Sequence, residues 1–259
     1  MMFFKEVLAA MEEIASLKLA ADWDNCGIQI DVGKDRIEKV FVALEITNEI
    51  IREARENEAD MIITHHPLIF SPLNKIDRNT LTGNYIVELF NSSISVCSAH
   101  TNFDEVGGGN NDYIASLLEL EDVEKRPGNS LIYTGKLPEI MDFWEVCDFV
   151  KSALNLEIKF MNATGSPMTK INKIGICAGS GSSMIDEAIE ACCDLYITGD
   201  VRYHDARYAA EKGICLLDAW HYGMERFFPK NYSEKLLTVT EGRIEIITSQ
   251  LNLDPFYNC

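Results

Sequence analysis

The five histidines of this 259-residue chain stand at 65, 66, 100, 204 and 221. Each follows a short apolar run, and two are trailed at i+4 by a carboxylate: Asp104 after His100, and Glu225 after His221. Imidazole is a preferred ligand for zinc, iron, nickel and copper, and carboxylate oxygen adds affinity for harder ions such as manganese. His65, His66 and His221 with Asp104 and Glu225 make a mixed nitrogen and oxygen set without a thiolate, the kind found in hydrolytic metal sites that keep an open position. Two divalent ions about 4 Å apart lower the pKa of a water between them and stabilise both the attacking and the leaving oxygen. The chemistry these residues suggest is water activation against a small substrate.

The most specific segment is ITHHPLIF. Pro67 keeps His66 out of the helical region, and adjacent extended residues point to opposite sides. Such a pair suits one imidazole to each of two ions; the alternative is that one histidine binds and the other supports it by a hydrogen bond. In HTNFD, Asp104 offers two oxygens that could bridge two cations, since Asn110, Asn111 and Asp112 stand nearer the next helix start as caps. His221 and Glu225 share one helical face by their spacing, as a ligand pair or as a solvated surface pair. In ITGDVRYHDA, His204 reads as an acid/base or substrate ligand, or its segment only starts a helix. The turn AGSGSSM at 178–184 either cradles a phosphate with its backbone N–H groups or is a plain strand-to-helix turn, having no Walker lysine.

The elements that must position these residues alternate. Runs at 39–44, 60–64, 93–98, 173–178, 195–198 and 214–218 read as buried strands by their β-branched content and flanking turns. Helical patterns lie between them at 48–57, 81–91, 112–118, 143–154, 183–192 and 205–212. This alternation defines an α/β protein with largely parallel sheets, in which ligands bind beyond the carboxyl ends of the strands. A polar break at 121–130, with Pro127 and Gly128 together, suggests two lobes: residues 1–125 with 218–259 carrying the metal ligands, and 126–217 forming the second. No repeat of fixed period is visible.

The formal charge of −18, from 41 acidic against 23 basic residues, argues against nucleic acid as a partner, because phosphate binding needs clustered Lys and Arg. No apolar run is long enough to span a bilayer, and Met1 to Ala21 is an amphipathic helix interrupted by charges, not a signal peptide. Of the eight cysteines, none forms a Cys-x-x-Cys, and Cys97, Cys177 and Cys215 read as small core hydrophobes. A cytoplasmic location is expected.

The segments ITHHPLIF, HTNFD, ITGDVRYHDA and HYGME, with WDNCGIQID, CAGSGSS and LNLDPF, resemble the NGG-interacting-factor-three-like family, also called dinuclear metal centre hexameric proteins and GTP cyclohydrolase I type 2 homologues. The resemblance spans nearly the whole chain and implies two intertwined α/β lobes, a homohexamer built as a trimer of dimers, and two divalent ions of zinc, iron, manganese or nickel. It places the metal ligands on His65, His66, Asp104, His221 and Glu225, with His100 and His204 lining the cavity. Two residues depart from the family pattern: Glu45, where Asp is common, and Trp220, where glycine is usual. The expected function is a dinuclear metal-dependent hydrolase of the GTP cyclohydrolase kind, acting on a nucleotide or another small phosphorylated or cyclic compound. The alternative is a metal-binding assembly or interaction protein without turnover.

Overall fold

Runs such as Lys39–Ala43 and Met61–Thr64 have no polar face to turn to water, so they form strands covered on both sides. In the computed structural model, which describes residues 1–128, 130–156 and 161–257, Val40, Phe41, Val42, Met61, Ile62 and Ile63 are all fully buried. Their burial on both faces is what a parallel sheet flanked by helices requires.

The chain divides into two units, Met1–Val106 with Phe227–Asn252, and Gly107–Arg226 with the residues from Leu253 on. In the first, five strands run in the order Glu245–Thr248, Lys39–Ala43, Met61–Thr64, Ser95–Ser98 and Gly27–Ile30. The first four are mutually parallel, and Gly27–Ile30 closes the edge antiparallel. The helices Asn48–Glu56 and Leu81–Asn91 are the crossovers. Thr47 and Thr80 cap them by accepting from Ile50 N and Gly83 N, the usual way to satisfy a first-turn donor.

The second unit has a mixed sheet in the order Glu121–Lys125, Tyr133–Asp142, Lys170–Ile176, Leu195–Thr198, Cys215–Asp218 and Asn162–Thr164. Its three central strands are parallel, and the outer ones are antiparallel. The polar stretch at 121–130 does not lie between the units: Glu121–Lys125 pairs with Tyr133–Asp142, so the chain enters the second unit earlier, at Gly107. Asn129, within that stretch, lies outside the described residues. The helix His221–Glu225 also belongs to the second unit.

Both units use one device to fix the start of a central strand. Asp60, just before Met61–Thr64, accepts from Glu38 N at 2.7 Å and Lys39 N at 3.1 Å. Asp194, just before Leu195–Thr198, accepts from Asn172 N at 3.0 Å and Lys173 N at 2.8 Å. In each case a carboxylate ties the head of one parallel strand to its neighbour, which sets where both strands end and therefore where the residues after them emerge.

The expected helix at Met1 to Ala21 is shorter, Phe4–Ile14 followed by a 3-10 turn at Leu17–Leu19. Cys97, Cys177 and Cys215 are buried and free, as their apolar settings suggested; Cys259 lies outside the described residues. Among the described residues, no helix is long and apolar enough to cross a membrane.

Asp60 also pairs with Lys34 Nζ at 2.5 Å. Burial works to raise its pKa, but the Lys34 bond and the two backbone N–H bonds outweigh it and hold the carboxyl below its ordinary value of 3.8. A carboxylate depressed in the folded state contributes stability above its unfolded pKa and loses it as pH falls through the folded one. Asp60→Asn is therefore expected to cost about 1–3 kcal/mol at neutral pH and to flatten the acid limb of the stability curve, as measured by urea unfolding between pH 3 and 7. An unchanged acid limb would show that Asp60 is not an anchor.

Candidate metal centre

The strand Met61–Thr64 ends in a bend. Both His65 N and His66 N bond to the Leu44 carbonyl at 3.0 Å, and Thr64 Oγ1 donates to the His66 carbonyl. With two consecutive N–H groups drawn to one oxygen, the alternation of an extended strand is lost. The rings of His65 and His66 therefore do not point to opposite sides; their centroids are 5.4 Å apart with planes tilted by 38°.

His65 is fully buried, and its Nδ1 lies 2.9 Å from the Ala99 carbonyl. A carbonyl can only accept, so Nδ1 carries the proton, and in the neutral ring Nε2 is the nitrogen with a lone pair. That nitrogen faces Asp104 Oδ2 at 3.7 Å. Asp104 is buried on the short helix Thr101–Glu105, whose first turn closes on the His100 carbonyl.

His100 is held in the same manner by a residue that its own segment does not reveal. Its Nδ1 is 2.9 Å from Asp24 Oδ1, and Asp24 also accepts from Thr101 N, Thr101 Oγ1 and Cys26 Sγ. Burial works to raise the Asp24 pKa, but the bonds from His100, Cys26 and Thr101 outweigh it and hold the carboxyl well below the usual carboxylate range. An ionised Asp24 fixes the His100 ring with Nε2 outward. His65, His66 and His100 each present one ring nitrogen, and the three atoms lie within 4.8 Å of one another.

In the second unit, His221 Nε2 lies 2.8 Å from Glu225 Oε2 and Nδ1 lies 2.7 Å from Asp200 Oδ2. Burial lowers the His221 pKa, but the hydrogen bonds and charges of Glu225 and Asp200 outweigh it and raise the value to about 10. The two carboxylates make a corner that takes up positive charge, as a proton or as a metal ion. Glu225 is buried against Gly179: a Cβ there would stand 2.3 Å from Glu225 Oε1, at a φ of +67°. The glycine turn thus makes room for a carboxylate. Two of its N–H groups are committed within the fold, Ala178 N to Asn111 Oδ1 and Gly181 N to Thr198 Oγ1, and these two are not open to a phosphate.

Trp220, directly before His221, has φ 65° and ψ 145°, a region that only glycine enters without strain. This gives a physical reason for the glycine expected there. Trp220 N donates to Asp218 Oδ1 at 3.0 Å, and the indole lies against Phe256 with ring centroids 6.2 Å apart. Asp200 also has a positive φ, 54°.

The structure thus groups His65, His66, His100 and Asp104 within one unit, and His221 with Glu225 in the other. It leaves His204 exposed on the first turn of Tyr203–Lys212, packed edge-on against Tyr203. The residues missed are Asp24 and Gly179, each of which works through a neighbour distant in sequence. Both stand inside the motifs WDNCG and CAGSGSS, but neither motif reveals its partner. Imidazole nitrogen and carboxylate oxygen, without a thiolate, fit a borderline or hard divalent cation.

An α/β chain with imidazoles clustered at strand ends defines a class of candidate metalloprotein, and the comparisons narrow it. Residues 2–255 match the model of the Duf34/NIF3 (NGG1p interacting factor 3) family, and the chain belongs to that family. It is 34% identical to the GTP cyclohydrolase 1 type 2 homolog of Clostridium perfringens over 98% of this chain and 99% of the relative. It is 35% identical to the GTP cyclohydrolase 1 type 2 of Helicobacter pylori over 88% of this chain and 89% of the relative. Among solved structures it resembles reduced HcgD from Methanocaldococcus jannaschii, with a TM-score of 0.84 and 29% identity over 96% of this chain and 98% of that one. The Bacillus cereus protein related to NIF3 has a TM-score of 0.91 at 23% identity, covering 100% and 99%, a likeness that shows the fold alone.

Gly179→Ala is expected to push the Glu225 carboxylate aside and to cost about 1 kcal/mol or more from the positive φ. Elemental analysis after loading with divalent metal should show less bound metal than in the parent, with an unchanged far-ultraviolet circular dichroism spectrum. Full metal content in the folded variant would mean that the Glu225 position is not set by this glycine.

Proposed function

We propose that the chain is a metal-dependent hydrolase that holds two divalent ions through His65, His66, Asp104, His221 and Glu225 and acts on a nucleotide or another small phosphorylated or cyclic compound. The observation that carries this reading is the His65, His66 and His100 cluster, in which the Nδ1 atoms of His65 and His100 are tied to protein oxygens. When bound, the ions would supply Lewis acidity and a water of lowered pKa.

The chain's own residues do the rest. Ala99 and Asp24 orient His65 and His100 so that each turns Nε2 outward. Asp104 and Glu225 bring negative charge that offsets the cations. His100, backed by the ionised Asp24, takes a proton at Nε2 and returns it to the leaving group, and His204 is a second proposed proton carrier. GTP is the first substrate to try, because the Helicobacter pylori relative is named GTP cyclohydrolase 1 type 2. Family resemblance further supports a cytoplasmic homohexamer, a trimer of dimers.

The test is a turnover screen of the full chain, reconstituted with zinc, manganese, iron or nickel, across GTP, other nucleotides and phosphoesters. Turnover should fall at least about 100-fold in Glu225→Gln, and by about 10²–10⁴ in His100→Ala with the loss of one limb of the pH profile. A fully metal-loaded chain that turns over none of these compounds would overturn the hydrolase reading in favour of a non-catalytic metal-binding assembly.

A further inference from the structure

Behind the histidine cluster, within the first unit, lies a cavity of about 110 Å³ with Leu8, Met11, Leu17 and Ile28 in its wall. Asn102 and Tyr232 also line it. They are 2% and 0% exposed, and Asn102 Oδ1 and the Tyr232 hydroxyl have no hydrogen-bond partner among the described residues. The orientation of the Asn102 amide is fixed by chemistry: its Nδ2 donates to the Ala15 carbonyl at 2.8 Å, which can only accept, so the orphaned atom is the oxygen. Burial raises the pKa of the Tyr232 hydroxyl, which therefore remains a donor. Buried polar atoms are nearly always paired, and a buried tyrosine hydroxyl usually finds a partner.

We propose that this cavity is a binding site for a small neutral molecule with one hydroxyl and a short apolar body, the hydroxyl donating to Asn102 Oδ1 and accepting from Tyr232. The walls set the other terms. An apolar cavity of about 150 Å³ takes up benzene, so this one suits about five heavy atoms. Glu12 at the rim has its pKa lowered by bonds from Ser16 and Leu17 N, and its charge discourages anions. A water could meet the polar atoms, but it would leave the aliphatic wall without contacts.

The site is coupled to the histidines by direct packing. Ala99, whose carbonyl orients His65, is part of the wall. Tyr232 stacks on Phe228 at 5.1 Å, and Phe228 lies 4.9 Å from the His65 ring. An occupant would therefore touch the groups that hold His65, which makes the cavity a place from which a metabolite could tune the cluster.

The test uses two isomers of five heavy atoms, 1-butanol and diethyl ether, titrated into the full chain labelled at the methionine methyls. The Met11 signal is assigned with Met11→Leu. 1-Butanol should shift the Met11 resonance saturably, and the ether, which cannot donate to Asn102, should bind about fivefold more weakly. Tyr232→Phe should weaken 1-butanol by a similar factor. A linear, unsaturable response to 1-butanol, or equal affinity for the two isomers, would overturn the proposal and leave ordered water as the partner of these atoms.

Discussion

An imidazole binds a metal only through a bare nitrogen, and which nitrogen is bare depends on what the other one touches. Three histidines of this chain have Nδ1 on a protein oxygen: His65 on the Ala99 carbonyl, His100 on Asp24 and His221 on Asp200. The three partners differ in kind, one backbone and two carboxylate, and come from different parts of the chain. Two of them follow parallel strands, and Asp24 stands just before the antiparallel edge strand Gly27–Ile30, whose first residue pairs with Ser98. Ala99 follows Ser95–Ser98, and Asp200 follows Leu195–Thr198 by two residues. The registers of the parallel strands, anchored at their starts by Asp60 and Asp194, thus place the partners of His65 and His221.

Backbone strain accompanies this placement in the second unit. Asp200 and Trp220 both hold positive φ values, and such residues cost on the order of 1–3 kcal/mol unless the surroundings enforce them. The enforcement is visible. Gly199 has no room for a side chain, since a Cβ there would meet His221 N at 2.6 Å. The two strand-end turns are packed backbone against backbone, and His221, Asp200 and Glu225 are gathered in the process. A tryptophan in a glycine conformation is tolerated because its N–H bonds to Asp218 and its ring rests on Phe256.

Much of this was legible in the sequence because it depends on local pattern. The helix at 81–91 and the strand at 195–198 match their observed bounds, since apolar periodicity and flanking polar residues mark both. The rule that parallel strands deliver their C-terminal residues to one edge brings all five histidines to strand ends; the structure gathers His65, His66 and His100 and leaves His204 exposed. The lobe boundary was not legible. A Pro–Gly pair in a polar stretch looks the same whether it joins two units or turns an antiparallel strand pair, and only the pairing of Glu121–Lys125 with Tyr133–Asp142 tells them apart. The sheet-edge strand Gly27–Ile30 and the partner Asp24 were missed for a related reason. Their meaning lies in hydrogen bonds to residues more than 60 positions away, which periodicity does not reach. The ring directions of His65 and His66 escape the extended-residue rule because that rule holds within a strand, whereas the Leu44 carbonyl bends the chain just past its end.

Whether these oriented side chains hold two cations is read most directly from an anomalous-scattering map of crystals of the full chain grown with manganese. Two peaks per chain about 4 Å apart are expected, bonded to ring nitrogens of His65, His66 and His221 and to carboxylate oxygens of Asp104 and Glu225. A single peak held by His65, His66 and His100 with Asp104 uninvolved would contradict the two-cation centre, as would manganese bound elsewhere on the chain and absent from these residues.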